Sequence, residues 1–185
     1  YKFGNKYEPK VGCVQPPSGM VAWWHLDFSS RDARQDFAGF NNFGVMANDP
    51  TQVAGKVLGA LQFDGIDDYV EVANHSELNF GTGDFSFDAW IKTNAADGVR
   101  MILDKRTETL SSFLFYQGYS IFLNDGKLYL QLADGALIDS WTNYNSPVIV
   151  ADGNWHHIAI TVSRTNTQGI SFYLDGVPIQ YGNPT

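Results

Sequence analysis

Residues 61–72 read LQFDGIDDYVEV, placing Asp64, Asp67 and Asp68 within five positions around Gly65. Three carboxylates so close together offer hard oxygen ligands, and glycine lets its carbonyl turn toward an ion. That is the chemistry of calcium and not of zinc. The same residues also spell a plain Asp-Gly turn with its carboxylates in water. A filled calcium site takes six to eight oxygens, so an ion here would have a structural role.

A second stretch, ADGALIDSWTNYNSP over 133–147, gathers Asp139, Trp141, Asn143 and Tyr144. A flat ring suits the apolar face of a sugar, and amides and carboxylates suit its hydroxyls. We read this stretch as a binding loop between two strands; the competing reading folds Trp141 and Tyr144 back as caps on a core. RTETLSSFLFYQG over 106–118, with Phe115, Tyr116 and Gln117, is a second such loop, read as packing.

Other chemistry-bearing residues fall into weaker patterns. His156 and His157 are adjacent, so on a strand they point to opposite faces and cannot share one ion; they read as packing and hydrogen-bonding residues at a strand start. His25 and His75 have no partner at ligand spacing. Cys13 is the only cysteine and sits beside two prolines with no histidine nearby. It reads as one half of a disulfide to a residue outside this chain rather than as a nucleophile. Asn74-His75-Ser76 fits the N-glycosylation pattern. Glycoside hydrolysis needs two carboxylates facing the scissile bond, and Asp88 is the only one inside its strand, since Asp84 falls in the GTGD turn. No catalytic residue is assigned.

At 185 residues the chain suits one larger all-β domain. A net charge of −8 and a pI near 4.7 argue against nucleic acid, which calls for a basic face. No apolar run is long enough to span a membrane, and no signal peptide is visible. The start at Tyr1 suggests a processed or excerpted product.

The elements that must hold these residues have a period of two. In DFSFDAWIK, Phe85, Phe87, Ala89 and Ile91 alternate with polar Ser86, Asp88 and Lys92. YSIFLNDGKLYLQL is two strands joined at Asp125-Gly126, a pair that supplies the positive φ of a tight hairpin. WHHIAITV buries Ile158, Ile160 and Val162, and GISFYLDGVPI buries Ile170, Phe172 and Leu174. Pro178 cannot donate to a ladder and marks an edge or a bulge. No long amphipathic helix and no internal repeat is present. The expected fold is all-β: a two-sheet antiparallel β-sandwich of jelly-roll type.

GMVAWWHLD, AGFNNFGV, VAGKVLGALQFDGIDDYVEV, FSFDAWIKT, DGNWHHIAITV and FYLDGV occur in the order seen in the laminin-G-like, concanavalin A-like lectin/glucanase family, which the chain resembles over about residues 19–179. The resemblance implies a leader over 1–18 and a jelly-roll domain over 19–185. It also implies that a closing C-terminal strand is missing or is supplied by another chain. An edge left open that way invites self-association or strand donation. Trp23, Trp24, Trp90 and Trp155 sit in or beside family strand motifs and read as core or sheet-face residues. The resemblance adds Asp27, in WWHLD, to Asp64, Gly65 and Asp68 as holders of a structural calcium. The glucanase branch carries Glu-x-Asp-x-x-Glu on one strand, and this sequence has no such run.

The resulting expectation is a non-catalytic, lectin-like glycan-binding module, extracellular or at the cell surface, within a larger protein. A structural or adhesive domain that binds a surface protein is the alternative, and a glycoside hydrolase comes third.

Overall fold

The computed structural model describes residues 15–27, 35–110, 114–136 and 140–184. Cys13, most of the expected leader, and Asp139 lie outside the described residues. Among the described residues, thirteen β-strands and one short 3-10 turn, Ser76–Leu78, make up the regular structure, and the sheets are antiparallel. The chain divides into two compact units, Tyr1–Leu78 and Asn79–Thr185.

The first unit holds two strand pairs. β1 (Gly44–Ala47) pairs with β4 (Tyr69–Val72), and β2 (Thr51–Ala54) pairs with β3 (Gly59–Gln62). Asp36, 4% exposed, ties together the segments before β1: its Oδ1 accepts from the Trp23 and Ala38 amides and its Oδ2 from the Asn42 amide. Buried carboxylates survive where backbone donors surround them in this way. The Trp24 indole donates to the Asn42 carbonyl at 2.6 Å.

The second unit is the expected sandwich. One sheet has the order β10 (Trp141–Ile149), β9 (Lys127–Asp134), β8 (Leu114–Asn124), β6 (Val99–Asp104), with β7 (Thr107–Leu110) also paired to β8. The other runs β13 (Val177–Gly182), β12 (Ile170–Leu174), β11 (Trp155–Val162), β5 (Phe85–Lys92). Ile121, Leu123, Leu128, Leu130 and Leu132 of the first sheet meet Ile158, Ile160, Val162, Ile170 and Phe172 of the second in one buried core. Phe172 is fully buried; truncating a side chain of this kind costs about 3–5 kcal/mol, because most of the cavity stays open.

The β8–β9 hairpin closes at Asp125-Gly126, with φ of 49° and 74°, as the sequence suggests. Asp175-Gly176 repeats the device between β12 and β13, with φ of 50° and 80°. β13 is the outermost described strand of its sheet, and a register shift falls next to Pro178, in agreement with an edge or bulge.

Two expectations are corrected. The stretch 133–147 is not one long loop: β9 runs on to Asp134, β10 begins at Trp141, and only a short connection lies between. Its Asn, Tyr, Ser and Pro content hides a strand that gains its stability from pairing with β9, and its register slips between Asn145 and Ile149, beside Pro147. The stretch 106–118 is likewise a hairpin, β7 with the start of β8.

Candidate functional site

The first sheet turns β8 and β9 core residues to one side, so Ser120, Phe122, Tyr129, Gln131 and Ala133 occupy the opposite face. On that face the register lines up Asp104, Ser120, Gln131 and Asn143 as one row across β6, β8, β9 and β10. Three strand spacings make the row roughly 14 Å long. Asp104, Gln131 and Asn143 are hydrogen-bonded in sequence through Arg106, from the β6–β7 corner. The guanidinium holds Asp104 through Nε to Oδ1 at 2.8 Å and Nη2 to Oδ2 at 2.5 Å, while Nη1 donates to Gln131 Oε1 at 2.6 Å. Gln131 Nε2 in turn donates to Asn143 Oδ1 at 2.9 Å. The Asp104 hydrogen bonds raise the Arg106 pKa further, so the guanidinium stays charged.

Aromatic residues lie on both sides of the polar row, Phe122 buried and Tyr129 and Trp141 partly exposed. On one side Met101, Phe122, Tyr129 and Asn145 line up, with the Phe122 and Tyr129 rings stacked at 5.2 Å. On the other side Gly118, Ala133 and Trp141 line up. Trp141 meets the Tyr116 ring edge-on at 5.7 Å, and the Arg106 guanidinium lies 5.7 Å from the same Tyr116 ring. Gly118, at φ +127°, has a specific purpose: a Cβ there would lie 2.3 Å from the Lys105 carbonyl oxygen. Only glycine lets the corner carrying Arg106 pass so close to β8. The Ser120 hydroxyl, fully buried in the polar row, has no hydrogen-bond partner.

Of the four residues expected to bind ligand, Trp141 and Asn143 share this face. Tyr144 alternates to the other side of β10, packs against the core and rests on Gly182 of β13, where a Cβ would sit 2.9 Å from its ring. Trp141 and Tyr144 nonetheless both line a hollow of about 230 Å³ at the end of β9 and β10, together with Asp134, Ser140, Thr142 and Pro184. Asp134 Oδ1 accepts the Ser140 hydroxyl at 2.5 Å, and this bond, with the Ala136 amide, lowers its pKa below 3.8. Arg106, Gln131 and Tyr116 were not singled out as one set from sequence, because the register that aligns them with Asn143 and Trp141 is a tertiary fact.

The acidic loop lies in the first unit. Ligand oxygens of Asp64, Asp67 and Asp68 lie within 4.8 Å of one another. Much of the loop is also self-satisfied. Asp64 Oδ1 accepts the Ile66 and Asp67 amides, which lowers its pKa, the Ile66 bond contributing most; Asp68 Oδ2 accepts the Asp64 amide. Asp68 Oδ1 is buried and has no partner, so the donor set suits a hard cation. Gly65 adopts φ +78° in this loop. Asp27 is not in that group: its Oδ1 accepts the Gly59 amide at 3.3 Å, and Oδ2 lies 3.7 Å from His25 Nδ1. Asp84 binds the Ser163 hydroxyl and the Arg164 amide, and Asp88 faces His157 Nε2 at 3.3 Å.

The family model described as the concanavalin A-like lectin/glucanases superfamily, of laminin-G type, matches residues 64–184. The chain belongs to that family. Its fold is similar to the binding domain of Paraclostridial Mosquitocidal Protein 1, with a TM-score of 0.60 and 18% identity over 80% of this chain and 37% of that one. It is also similar to the binding domain of botulinum neurotoxin DC, solved in complex with rat synaptotagmin II, with a TM-score of 0.54 and 16% identity over 80% of this chain and 36% of that one. An S-layer domain-containing protein from Clostridium thermocellum aligns with a TM-score of 0.50 and 19% identity over 88% of this chain and 71% of that one. The chain thus spans little more than a third of either toxin structure. No curated protein matches it.

Proposed function

We propose that the chain is a non-catalytic recognition module of an extracellular or cell-surface protein, and that it binds carbohydrate on the outward face of the β10-β9-β8-β6 sheet. The observation that carries this reading is the hydrogen-bonded polar row Asp104–Arg106–Gln131–Asn143 with the part-exposed ring of Tyr129 on one side and those of Tyr116 and Trp141 on the other. Rings that stack on sugar faces and side chains that bond hydroxyls are the two components a glycan site needs. The occurrence of the fold in toxin binding domains and in an S-layer domain-containing protein supports a binding role at a surface. Asp104, the carboxylate of the polar row, is tied to a guanidinium, which does not suit it to act as the protonated acid of a glycosidase pair.

Residues 19–185 form the recognition domain in this reading, and Asp64, Asp67 and Asp68 hold a calcium ion that stiffens their loop. The test is a glycan array probed with the 185-residue chain and with Trp141→Ala. Binding lost in the variant, with the near-UV circular dichroism of the rest retained, supports the site. A folded wild-type chain that binds no glycan refutes it and favours the second reading, strand addition at β13, where Val177 and Tyr181 are exposed on an outermost strand.

A further inference from the structure

We infer that the polar row reads uncharged glycans with a fixed hydrogen-bond polarity, that Arg106 is the positioning residue that fixes it, and that glycans carrying carboxylate or sulfate are rejected. This rests on the proposed glycan site and names its ligand class.

Polarity follows from what a guanidinium can do. Arginine has donors only, so the Gln131 atom facing Nη1 must be the carbonyl oxygen. Gln131 therefore turns its NH₂ group toward Asn143, and the Asn143 atom facing it must be an acceptor, Oδ1. The exposed Asn143 is left with its own NH₂ as the group available to a ligand. At the far end Asp104 is acceptor-only: Oδ1 takes the Arg106 amide at 3.1 Å and Nε, and Oδ2 takes Nη2. The row thus donates from Asn143 and accepts at Asp104, so a ligand bridging them presents an acceptor oxygen to the first and a hydroxyl proton to the second. A sugar hydroxyl can do both, whereas a carboxylate or sulfate at the Asp104 end could only accept and would face that carboxylate without a proton between them.

Charge points the same way. Three of the five guanidinium N–H groups are spent on Asp104 and Gln131, and the Asp104 carboxylate offsets the charge, so an anion meets a paired cation and not a free one. The Arg106–Asp104 pair is neutral as a unit. Lys127, a cation on the same face, runs counter to this, but it lies two outward positions beyond Gln131 with Tyr129 between them. The chain as a whole carries −8, a field that opposes an anionic ligand.

The array would carry neutral oligosaccharides beside heparin-derived, uronate and sialylated ones. Wild-type chain is expected to bind neutral oligosaccharides only. Asn143→Asp still accepts from Gln131 but loses the outward donor, and is expected to bind about tenfold more weakly at an unchanged thermal midpoint. Arg106→Met frees the Gln131 amide to flip. Nitrogen-edited NMR of the side-chain amides should then show the separate Gln131 and Asn143 proton shifts collapse toward solvent-like values, while Arg106→Lys restores them in part. Anionic glycans binding more tightly than neutral ones, with loss in Trp141→Ala, would overturn the inference and leave the glycan site standing. Full binding by Asn143→Asp, or unchanged amide shifts in Arg106→Met, would overturn the polarity argument. No glycan bound by folded protein would overturn the proposed function itself.

Discussion

His156 stands between two carboxylates, with Nδ1 2.8 Å from Asp175 Oδ2 and Nε2 3.1 Å from Asp152 Oδ1. A neutral imidazole has one N–H, so only the protonated ring donates to both. The hydrogen bond to Asp175, and then that to Asp152, raise its pKa above 6.5. Asp175 is lowered below 3.8, chiefly by His156 and next by the His157 amide; Asp152 is lowered chiefly by the Asn154 amide. The histidine's contribution to stability is fully present below 6.5 and is lost as pH rises through its raised folded value. The carboxylates' contribution is fully present above 3.8 and is lost as pH falls through their lowered folded values. The clamp between the β10–β11 loop and the β12–β13 turn is therefore strongest between those two limits. His157 faces Asp88 instead, on the other side of β11, as adjacency on a strand requires. We expect the thermal midpoint of wild-type chain to fall between about pH 6 and pH 8, and His156→Gln to remove the part of that fall due to the clamp. A wild-type-minus-variant difference that stays constant across this range would refute the assignment.

At the scale of elements, the β6–β7 corner reaches the outward face of its sheet only because Gly118 lets Lys105 approach β8, its amide donating to the Tyr119 carbonyl at 2.9 Å. Gly118→Ala places a methyl group against a backbone oxygen that cannot swing aside, at a φ unfavourable for alanine. It should cost about 1–3 kcal/mol in urea unfolding and shift Arg106 away from Gln131. Glycan affinity should then fall by more than the stability loss explains, since nearly all molecules remain folded in the absence of urea. Affinity unchanged in a destabilised variant would separate the corner from the site. The same elements show what the sequence made legible. β5, β8, β9, β11 and β12 follow from period-two apolar runs, because their inward residues meet across one core. β10 does not, since its outward Asn143 and Asn145 and its Pro147 resemble a loop, and only pairing with β9 makes it a strand. Trp141 and Asn143 were legible as residue types that suit a sugar, and they share one face of the sheet. Their partners Gln131 and Arg106 lie 12 and 37 positions from Asn143 in the chain and are joined to it only by register.

On the scale of the whole molecule, the acidic balance concentrates where Asp64, Asp67 and Asp68 crowd one loop of a chain already at −8. Like charges held together oppose folding unless a cation offsets them, and an ion bound only by the folded chain stabilises it by mass action. At a free calcium concentration 100 times its dissociation constant the gain is about 2.7 kcal/mol, and a tenfold increase beyond that adds about 1.4 kcal/mol. Calcium is therefore expected to raise the thermal midpoint in a concentration-dependent way, and chelator to reverse the rise. Asp68→Asn bears directly on the buried Oδ1 atom that lacks a partner. Removing that charge should abolish the calcium response and, by relieving repulsion, leave the calcium-free midpoint unchanged or slightly higher. Magnesium at the same concentration separates site binding from screening: a small ion that dehydrates reluctantly should give much less stabilisation in a loop whose carboxylates are already turned toward their own amides. Equal shifts with calcium, magnesium and matched monovalent ionic strength would reduce the loop to a screened acidic turn. A calcium-specific shift that Asp68→Asn removes would make it a structural ion site in the unit preceding the sandwich.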